Sequence, residues 1–264
     1  MTPEAHRAAA QALVEAEQTG TQMGLLSVIY PDITMDDAYA IQAQVVAAKV
    51  AAGDPVIGWK IGLTSRAMQQ ALNIDIPDSG VLTRSMEFAT GATIPAGRFI
   101  EPRIEAEIAF VMKADLGGAS VTRADVLAAT DYVAPAIEIL DTRILRRDPD
   151  SGQTRKVFDT IADNAANAGI VLGTDRHAAA DLRWVGAIVK SGETVEETGL
   201  GAGVLNDPVE SVVWLARRMA IYGDSIKAGQ VILSGSFIRP IECPSGTHIH
   251  ADYGTFGSVS LQFD

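Results

Sequence analysis

Two glutamates stand two positions apart in the apolar stretch RIEAEIAF, residues 103–110. The alternation of apolar and polar side chains predicts a β-strand in which Glu105 and Glu107 point to one face, roughly 6.5–7 Å apart. Like charges placed this way repel each other unless something positive lies between them. A third carboxylate, Glu138, interrupts the apolar segment APAIEILD, residues 134–141, where an unpaired buried charge would be costly.

These three glutamates predict a site for a hard divalent cation. Carboxylates from two strands form an all-oxygen ligand set, which suits Mg²⁺ or Mn²⁺ and leaves positions for water or a substrate. Two other interpretations stay open at this point. Arg103 or Arg143 could neutralise the glutamates as an ion partner, or the first strand could be half exposed with its polar residues facing solvent.

A lysine and an aspartate are candidate proton carriers beside such a site. Lys60 lies in the apolar segment VIGWKIGL, where it either reaches the strand end or serves the metal site. Beside a cation it could hold a substrate carboxylate or carbonyl, or exchange a proton with its pKa lowered by burial and by the cation. The segment IPDSG, residues 76–80, predicts a tight turn, in which Asp78 is a turn former or a base.

The remaining polar motifs carry less information. SGSF, residues 234–237, could present backbone N–H groups and the Ser236 hydroxyl to an anion, or form a plain bend. The four histidines lack metal-ligand spacing, and the one cysteine, Cys243, excludes a disulfide within the chain. No P-loop, GxSxG or GxGxxG after a strand is present, which disfavours nucleotide-binding and serine-hydrolase functions.

Composition predicts a soluble cytoplasmic protein and does not exclude a small anionic substrate. The chain has 264 residues, 47% of them hydrophobic, which is enough for a sizeable core. Its net charge of −12, without a run of lysine or arginine, argues against nucleic acid or an anionic membrane as partner. We expect no signal peptide and no membrane span, because neither a basic region followed by an apolar run nor an apolar stretch of about 20 residues occurs.

The order of predicted elements indicates an α+β fold. Capping residues predict helices over 3–19 and 35–52, so residues 1–53 form a helical N-terminal region. Residues 54–264 form a mixed β catalytic domain, because strand-like segments dominate and do not alternate with helices. Its elements are predicted as strands at 55–64, 86–95, 103–112, 131–141, 168–173, 182–199, 230–237 and 248–263, helices at 65–72, 122–130 and 208–221, and a polar connection over 143–165.

Six motifs follow one another along the chain: GWKIGLTSRAMQQ, PDSGVL, EPRIEAEIAFV, PAIEILDTRI, DTIADNAANAGIVLG and SGSFIRP. In this order they resemble the hydratase/decarboxylase family of catechol meta-cleavage pathways, part of the fumarylacetoacetate hydrolase-like superfamily. The resemblance covers the chain from about residue 20 to its end. It implies a mixed β-sheet roll or barrel of the fumarylacetoacetate hydrolase C-terminal type, a helical N-terminal cap and a homo-oligomer.

The same resemblance implies roles for the candidate residues. Mg²⁺ or Mn²⁺ would be bound by Glu105, Glu107 and Glu138, with Lys60 and Asp78 as catalytic groups. The activity implied is that of a lyase that adds water to a 2-oxo-enoic acid in aromatic catabolism.

The resemblance also bears on the substrate. The segment 148–169 is most similar to family members that act on 2-oxo-hept-4-ene-1,7-dioate. It is less similar to 2-hydroxypenta-2,4-dienoate hydratases and 4-oxalocrotonate decarboxylases, which stay as alternatives. Ser79 stands where the family often has an aromatic residue, a departure that concerns the choice of substrate more than the chemistry.

A dioic substrate requires further cationic groups. Lys60 and Ser236 would bind the carboxylate near the metal. Arg66 and Arg143 are predicted to bind substrate. The candidates for the distal carboxylate are these two arginines together with Arg155 and Lys156, and the last two lie on the polar connection, which could close as a lid.

Other roles stay open beside this one. A non-enzyme hypothesis is a structural partner in a complex of hydratase and decarboxylase, which the intact acidic residues disfavour. Hydrolysis of an acylpyruvate, the activity found elsewhere in the superfamily, is disfavoured because no His–Glu dyad adjoins the glutamates.

Overall fold

A computed structural model describes residues 1–65, 69 and 76–264. The helices are α1 (Pro3–Thr19), α2 (Leu26–Ile29), α3 (Met35–Ala51), α4 (Arg123–Ala129), α5 (Val157–Ala162) and α6 (Pro208–Ile221). The strands are β1 (Val56–Gly62), β2 (Asp78–Thr83), β3 (Glu87–Ala89), β4 (Ala92–Ile94), β5 (Arg103–Met112), β6 (Thr130–Leu140), β7 (Asn167–Leu172), β8 (Gly186–Ser191), β9 (Thr194–Leu200), β10 (Val231–Leu233), β11 (Ile241–Glu242), β12 (His248–Asp252) and β13 (Ser258–Phe263).

Local capping determines where the long N-terminal helices begin and end. The Thr2 hydroxyl accepts a backbone hydrogen bond at the start of α1, and Gly20 ends that helix in the left-handed region with φ +63°. Thr34 and Asp37 form a reciprocal capping box at the start of α3. Both predicted helices are confirmed, and α3 ends at Ala51, one residue earlier than predicted.

The N-terminal helices bury their apolar faces against the connection that follows β6. Leu13, Leu25 and Ile41 share one hydrophobic cluster with Ile144 and Ile161. We propose residue 53 as the boundary of the helical region because α3 ends two residues before it and the first strand begins three residues after it.

Among the described residues, the strands form an eight-stranded and a five-stranded sheet. The larger sheet has the order β2-β1-β10-β5-β6-β7-β3, and β11 also pairs with β5. The smaller sheet has the order β4-β13-β12-β8-β9. Apolar residues of both sheets, among them Phe110, Ile137 and Val259, belong to one buried cluster. The predicted α+β class, with mixed sheets after a helical N-terminal region, is confirmed.

The ladder between β5 and β6 lies near the middle of the larger sheet. It pairs antiparallel from Arg103 opposite Leu140 to Met112 opposite Thr130. The strand predicted over 103–112 is confirmed at both ends. This pairing sets which polar side chains of the two strands become neighbours.

The predicted turn over residues 76–80 is wrong. Asp78 begins β2, which pairs antiparallel with β1 so that Gly62 lies opposite Asp78 and Lys60 lies opposite Gly80. Packing, and not a turn, requires a glycine at position 80, because a Cβ there would stand 2.5 Å from the backbone carbonyl oxygen of Asn164. The helix predicted over 65–72 lies outside the described residues except at positions 65 and 69.

The connection over 143–165 is more ordered than predicted. It contains α5, whose Asp159 carboxylate accepts hydrogen bonds from the Ser27 N–H at 2.8 Å, the Ser27 hydroxyl at 2.7 Å and the Lys156 N–H at 2.8 Å. Asp159 is fully buried. These bonds join the connection to α2, more than a hundred residues earlier in the chain. Among the described helices, none combines the length and apolar character that a membrane crossing requires.

Replacing this buried carboxylate should loosen the connection. Asp159→Ala leaves two backbone N–H groups without an acceptor, so the free energy of unfolding should fall by roughly 2–4 kcal/mol. Urea unfolding followed by circular dichroism measures the change. Asp159→Asn, which keeps one acceptor oxygen, should lose less, and Asp148→Ala on the exposed part of the connection should change stability little. Wild-type stability of Asp159→Ala would contradict the assignment.

Candidate active site

The predicted acidic cluster forms between β5 and β6. Glu105 lies directly opposite Glu138, and Glu107 follows two residues along β5 on the same face. Each of the three offers a carboxylate oxygen within 4.8 Å of those of the other two. Glu107 and Glu138 are fully buried, and Glu105 is half-buried at the cavity wall. The interpretation as a half-exposed polar strand is therefore wrong.

Unsatisfied oxygens in the cluster fit a divalent cation. One oxygen of Glu107 accepts a hydrogen bond from the Gly235 N–H at 2.7 Å. Its other oxygen and both oxygens of Glu138 are buried without a hydrogen-bond partner among the described residues. Buried carboxylate oxygens are costly unless they are paired or bind a metal. An all-carboxylate donor set is the kind that Mg²⁺ and Mn²⁺ prefer.

Among the described residues, no arginine forms an ion pair with these glutamates. Arg103 pairs instead with Glu242 at 2.6 Å, and Arg143 pairs with Asp163 at 2.5 Å. The Arg143 guanidinium also donates to the backbone carbonyl of Asn167 at 3.2 Å. It is thus committed to the protein itself, in contrast to the expectation that it binds substrate, and it does not line the cavity described below.

Burial shifts the pKa values of all three glutamates upward, and repulsion by a neighbouring glutamate adds to the shift for Glu105 and Glu107. Burial, followed by the Glu138 charge, raises the pKa of Glu105 to about 8. The pKa values of Glu107 and Glu138 are also raised, again chiefly by burial. The protein groups alone therefore favour protons on this cluster, and a divalent cation would compete for the same oxygens.

Lys60 and Asp78 adjoin the cluster from β1 and β2. The Lys60 ammonium lies 3.4 Å from Glu138 Oε1, and both Lys60 and Asp78 are buried. A side chain on Gly62 would collide with both groups, because its Cβ would stand 2.2 Å from Asp78 Oδ1 and 3.0 Å from Lys60 Nζ. The absence of a side chain at position 62 thus leaves room for the lysine and the aspartate on either side of this glycine.

The pKa shifts of this pair have identifiable causes. Burial raises the pKa of Asp78, and the Lys60 charge opposes this rise. Burial lowers the pKa of Lys60, but the charges of Glu138 and Asp78 outweigh it and the net shift is upward. The expected lowering of the lysine pKa is therefore wrong for the protein groups alone; a bound cation would add to the lowering effect of burial.

Tyr253, which sequence reasoning missed, supports the cluster from the smaller sheet. Its hydroxyl donates to the Ala136 carbonyl at 2.5 Å and accepts from the Glu107 N–H at 3.1 Å. Glu107 and Ala136 are paired across the ladder, so the hydroxyl bridges the two strands where Glu107 projects. Nothing in the local sequence DYGTF signals this contact, which depends on the packing of two sheets.

A cavity of about 450 Å³ opens beside these groups, a size within the usual range for small ligands. Lys60, Asp78 and Glu105 line one part of it, and Ser236 lines another. The Ser236 hydroxyl accepts from the Ile238 N–H at 3.1 Å and donates to the Ile238 carbonyl at 2.9 Å, so local backbone holds it at the wall.

The other residues singled out in the sequence differ in their position relative to the cavity. Arg66, predicted to bind substrate, lies outside the described residues. His248 and His250 are exposed on β12, as expected for surface residues, and Cys243 is buried and unpaired. Arg155, one of the candidates on the polar connection, lines the cavity.

Comparisons with known proteins agree on one group of relatives. No family model matches the chain. It is 48% identical over 260 residues to 2-oxo-hept-4-ene-1,7-dioate hydratase of Escherichia coli, covering 98% of this chain and 97% of that protein. The structure is similar to 4-oxalocrotonate decarboxylase of Pseudomonas putida G7 complexed with magnesium and adipate, with TM-score 0.93, 32% identity, and 100% and 99% coverage.

A more distant likeness concerns the fold alone. Fumarylacetoacetate hydrolase from Exiguobacterium antarcticum matches with TM-score 0.57 and 14% identity, covering 80% of this chain and 76% of the other. The mixed sheets around the acidic cluster are thus of the fumarylacetoacetate hydrolase type.

Removing one carboxylate should weaken metal binding without unfolding the protein. Glu107→Gln keeps the shape and the Gly235 contact but removes a ligand charge, so the affinity for Mn²⁺ should fall roughly tenfold or more. Isothermal titration calorimetry measures it. Glu101→Gln, a carboxylate of the same cavity outside the cluster, serves as matched control. Unaltered Mn²⁺ affinity of Glu107→Gln would remove the metal assignment.

The cluster should make the stability of the metal-free protein depend on pH. The pKa of Glu105 rises from 4.5 to about 8 on folding, so the folded state holds a proton that the unfolded state releases. Its contribution to stability is full below pH 4.5 and is lost as the pH rises to about 8. In EDTA, the free energy of unfolding of the wild type should therefore decline over this range relative to Glu105→Gln.

Urea unfolding of both proteins at several pH values measures this difference. Adding Mn²⁺ should restore wild-type stability at high pH and should help Glu105→Gln less. A difference between the two proteins that grows in favour of the wild type with rising pH would contradict the sign of the shift.

Proposed function

Because the chain belongs to the hydratase/decarboxylase family of the fumarylacetoacetate hydrolase-like superfamily, we propose that it is a divalent-metal-dependent hydro-lyase. Its substrate is 2-oxo-hept-4-ene-1,7-dioate and its product 4-hydroxy-2-oxoheptanedioate, in aromatic meta-cleavage catabolism. The observation that carries the proposal is the meeting of Glu105, Glu107 and Glu138 with Lys60 and Asp78 beside one cavity. The name of the relative that is 48% identical supports the choice of substrate.

The three glutamates would hold Mg²⁺ or Mn²⁺. The buried oxygens without a partner support this role, as does the magnesium named with the related decarboxylase structure. When bound, the cation supplies Lewis-acid stabilisation of the negative charge that develops on the 2-oxo oxygen of the substrate. Gly235 keeps one Glu107 oxygen fixed through its N–H, which orients the carboxylate.

Lys60 and Asp78 divide the proton transfers between them. The dienol form of the substrate carries a proton on its C2 oxygen, and Lys60 moves this proton to C5, which gives the conjugated 2-oxo-3-ene. A water then adds its hydroxyl to C4 while Asp78 takes the other proton, and Asp78 returns this proton to C3 to complete the hydration. Burial raises the pKa of Asp78, which brings this carboxyl closer to the range where it can both accept and return a proton.

The remaining substrate atoms need an anchor away from the reacting carbons. Ser236 lies at the cavity wall with its hydroxyl held by local backbone, and we assign it to the carboxylate next to the 2-oxo group. The cavity has room for a small acid, and its wall combines apolar residues such as Phe237 with these polar groups.

We also propose that the protein acts in the cytoplasm as a homo-oligomer, with a decarboxylase as possible partner. Large apolar side chains exposed on and beside the β8–β9 hairpin support association, since Trp184 is 76% exposed and Val195 50% exposed. Exposed apolar patches of this kind are typical of protein interfaces.

Decarboxylation of 4-oxalocrotonate is the second candidate. The structural likeness to a 4-oxalocrotonate decarboxylase, with TM-score 0.93, favours it. Both reactions develop negative charge on a 2-oxo oxygen and would use the same glutamates. They differ in the source of the electron pair that forms this negative charge. In decarboxylation the pair is left by the departing CO₂, and in hydration it is left by removal of a proton from the substrate.

Assays with both substrate types separate these activities. With Mg²⁺ and 2-oxo-hept-4-ene-1,7-dioate, we expect 4-hydroxy-2-oxoheptanedioate in NMR spectra, and EDTA should stop its formation. Asp78→Asn should lower kcat by roughly 10²–10⁴-fold, the usual contribution of a general acid or base. Release of CO₂ from 4-oxalocrotonate without any hydrated product from the first substrate would overturn the hydratase proposal in favour of the decarboxylase.

A further inference from the structure

Arginines gather on the cavity wall of this acidic protein. Four of them line it: Arg103, Arg146, Arg155 and Arg239. The same wall also carries carboxylates, namely those of Asp78, Glu101, Glu105, Asp141 and Glu197. The four arginines therefore differ in whether a neighbouring carboxylate compensates their charge.

Three of the four arginines are already paired with carboxylates. The pairs are Arg103 with Glu242 at 2.6 Å, Arg146 with Glu101 at 3.1 Å, and Arg239 with Glu197. Each guanidinium therefore has its charge compensated by the protein itself.

Arg155 differs from the other three. Among the described residues, no carboxylate oxygen lies within 4 Å of its guanidinium. Its one side-chain hydrogen bond there goes to the neutral Thr142 hydroxyl oxygen, although a guanidinium has five N–H donors. The side chain is half-buried, so water compensates the charge only in part.

The electrostatic surroundings of Arg155 point the same way. Burial first, and then the charge of Arg146, lower its pKa. Asp163 and Asp159 oppose this from farther away, but their oxygens are engaged by Arg143 and by Ser27. The guanidinium thus lies near another guanidinium, with no described carboxylate within ion-pair distance and with N–H donors left over.

The backbone holds Arg155 in place on the connection. Its N–H donates to the Arg146 carbonyl at 2.9 Å, next to an antiparallel bridge between Arg147 and Thr154. Thr142 is held in turn, because its hydroxyl donates to the Ile144 carbonyl at 2.7 Å. A fixed guanidinium with free donors is suited to bidentate recognition of a carboxylate.

We propose that Arg155 binds the distal carboxylate of a 2-oxo dioic acid and so distinguishes dioic from monocarboxylic substrates. This inference rests on the proposed function, since it assigns the two ends of that substrate to two parts of one cavity. The 2-oxo acid end lies at the glutamates. The distal carboxylate supplies the negative charge that no carboxylate of the described residues provides within 4 Å of the Arg155 guanidinium.

Substrate selectivity tests the proposal. We compare kcat/KM for 2-oxo-hept-4-ene-1,7-dioate with kcat/KM for 2-oxopent-4-enoate, which lacks the distal carboxylate. In Arg155→Gln, the ratio of dioic to monocarboxylic kcat/KM should fall about 100-fold, since a site built for a polar group strongly rejects its loss. Arg239→Gln, an arginine of the same wall with its own carboxylate partner, is the matched control and should leave the ratio within about threefold.

Binding without turnover gives an independent readout. Adipate, a dioic acid without the reactive double bond, is titrated calorimetrically into the magnesium-loaded protein. Arg155→Gln should weaken its binding at least tenfold, and Arg155→Lys, which keeps the charge but not the planar fork, should lie between. This measurement stays informative if the wild type hydrates neither substrate, a result that would refute the proposed function alone.

Two outcomes would overturn the assignment of Arg155. An equal loss of kcat/KM on both substrates, with adipate affinity maintained, would mean that the arginine only supports the structure of the connection. A wild-type ratio together with wild-type adipate affinity in Arg155→Gln would place the distal carboxylate elsewhere.

Discussion

Three carboxylates confined between two hydrogen-bonded strands repel one another, and this repulsion is the constraint around which the site is organised. The β5–β6 ladder places Glu105 directly across from Glu138 and leaves Glu107 on the same face. The strands cannot move apart to relieve the repulsion without breaking the centre of the larger sheet. Positive charge must therefore come to the cluster, and Lys60 at 3.4 Å from Glu138 supplies part of it.

The surrounding elements can be understood as supports for this arrangement. β1 and β2 pair so that Lys60 and Asp78 both lie beside Gly62. The smaller sheet contributes the Tyr253 hydroxyl, which bridges the two strands beside Glu107. The proposed catalytic groups, the candidate metal ligands and their support thus come from different parts of the chain, which fits the long-range pairing of a mixed sheet.

Local signals in the sequence were sufficient for part of this picture. Period-two alternation placed Glu105 and Glu107 on one face, and an isolated charge in an apolar run marked Glu138 as buried. Capping residues located the long helices to within one residue. The motif order identified the family, and with it the fold.

Features that depend on long-range pairing were not accessible in this way. The segment around Asp78 has the composition of a turn, but Asp78 is the first residue of a strand. Its partner in the ladder is Gly62 of β1, which lies outside the segment from which the turn was predicted. The sequence alone leaves Arg143 free to bind substrate, whereas in the fold its guanidinium donates to the carboxylate of Asp163, twenty residues later. The direction of the Lys60 pKa shift depends on how many carboxylates surround the ammonium, and only the fold specifies that number.

The position of Arg155 has an evolutionary consequence. The reacting groups sit on strands whose register cannot change without loss of the sheet, whereas this arginine belongs to a connection outside both sheets. On the proposed assignment of Arg155, reaction chemistry and substrate length are encoded in separable portions of the gene. Descendants can acquire new acids by altering the connection while they inherit the catalytic strands intact.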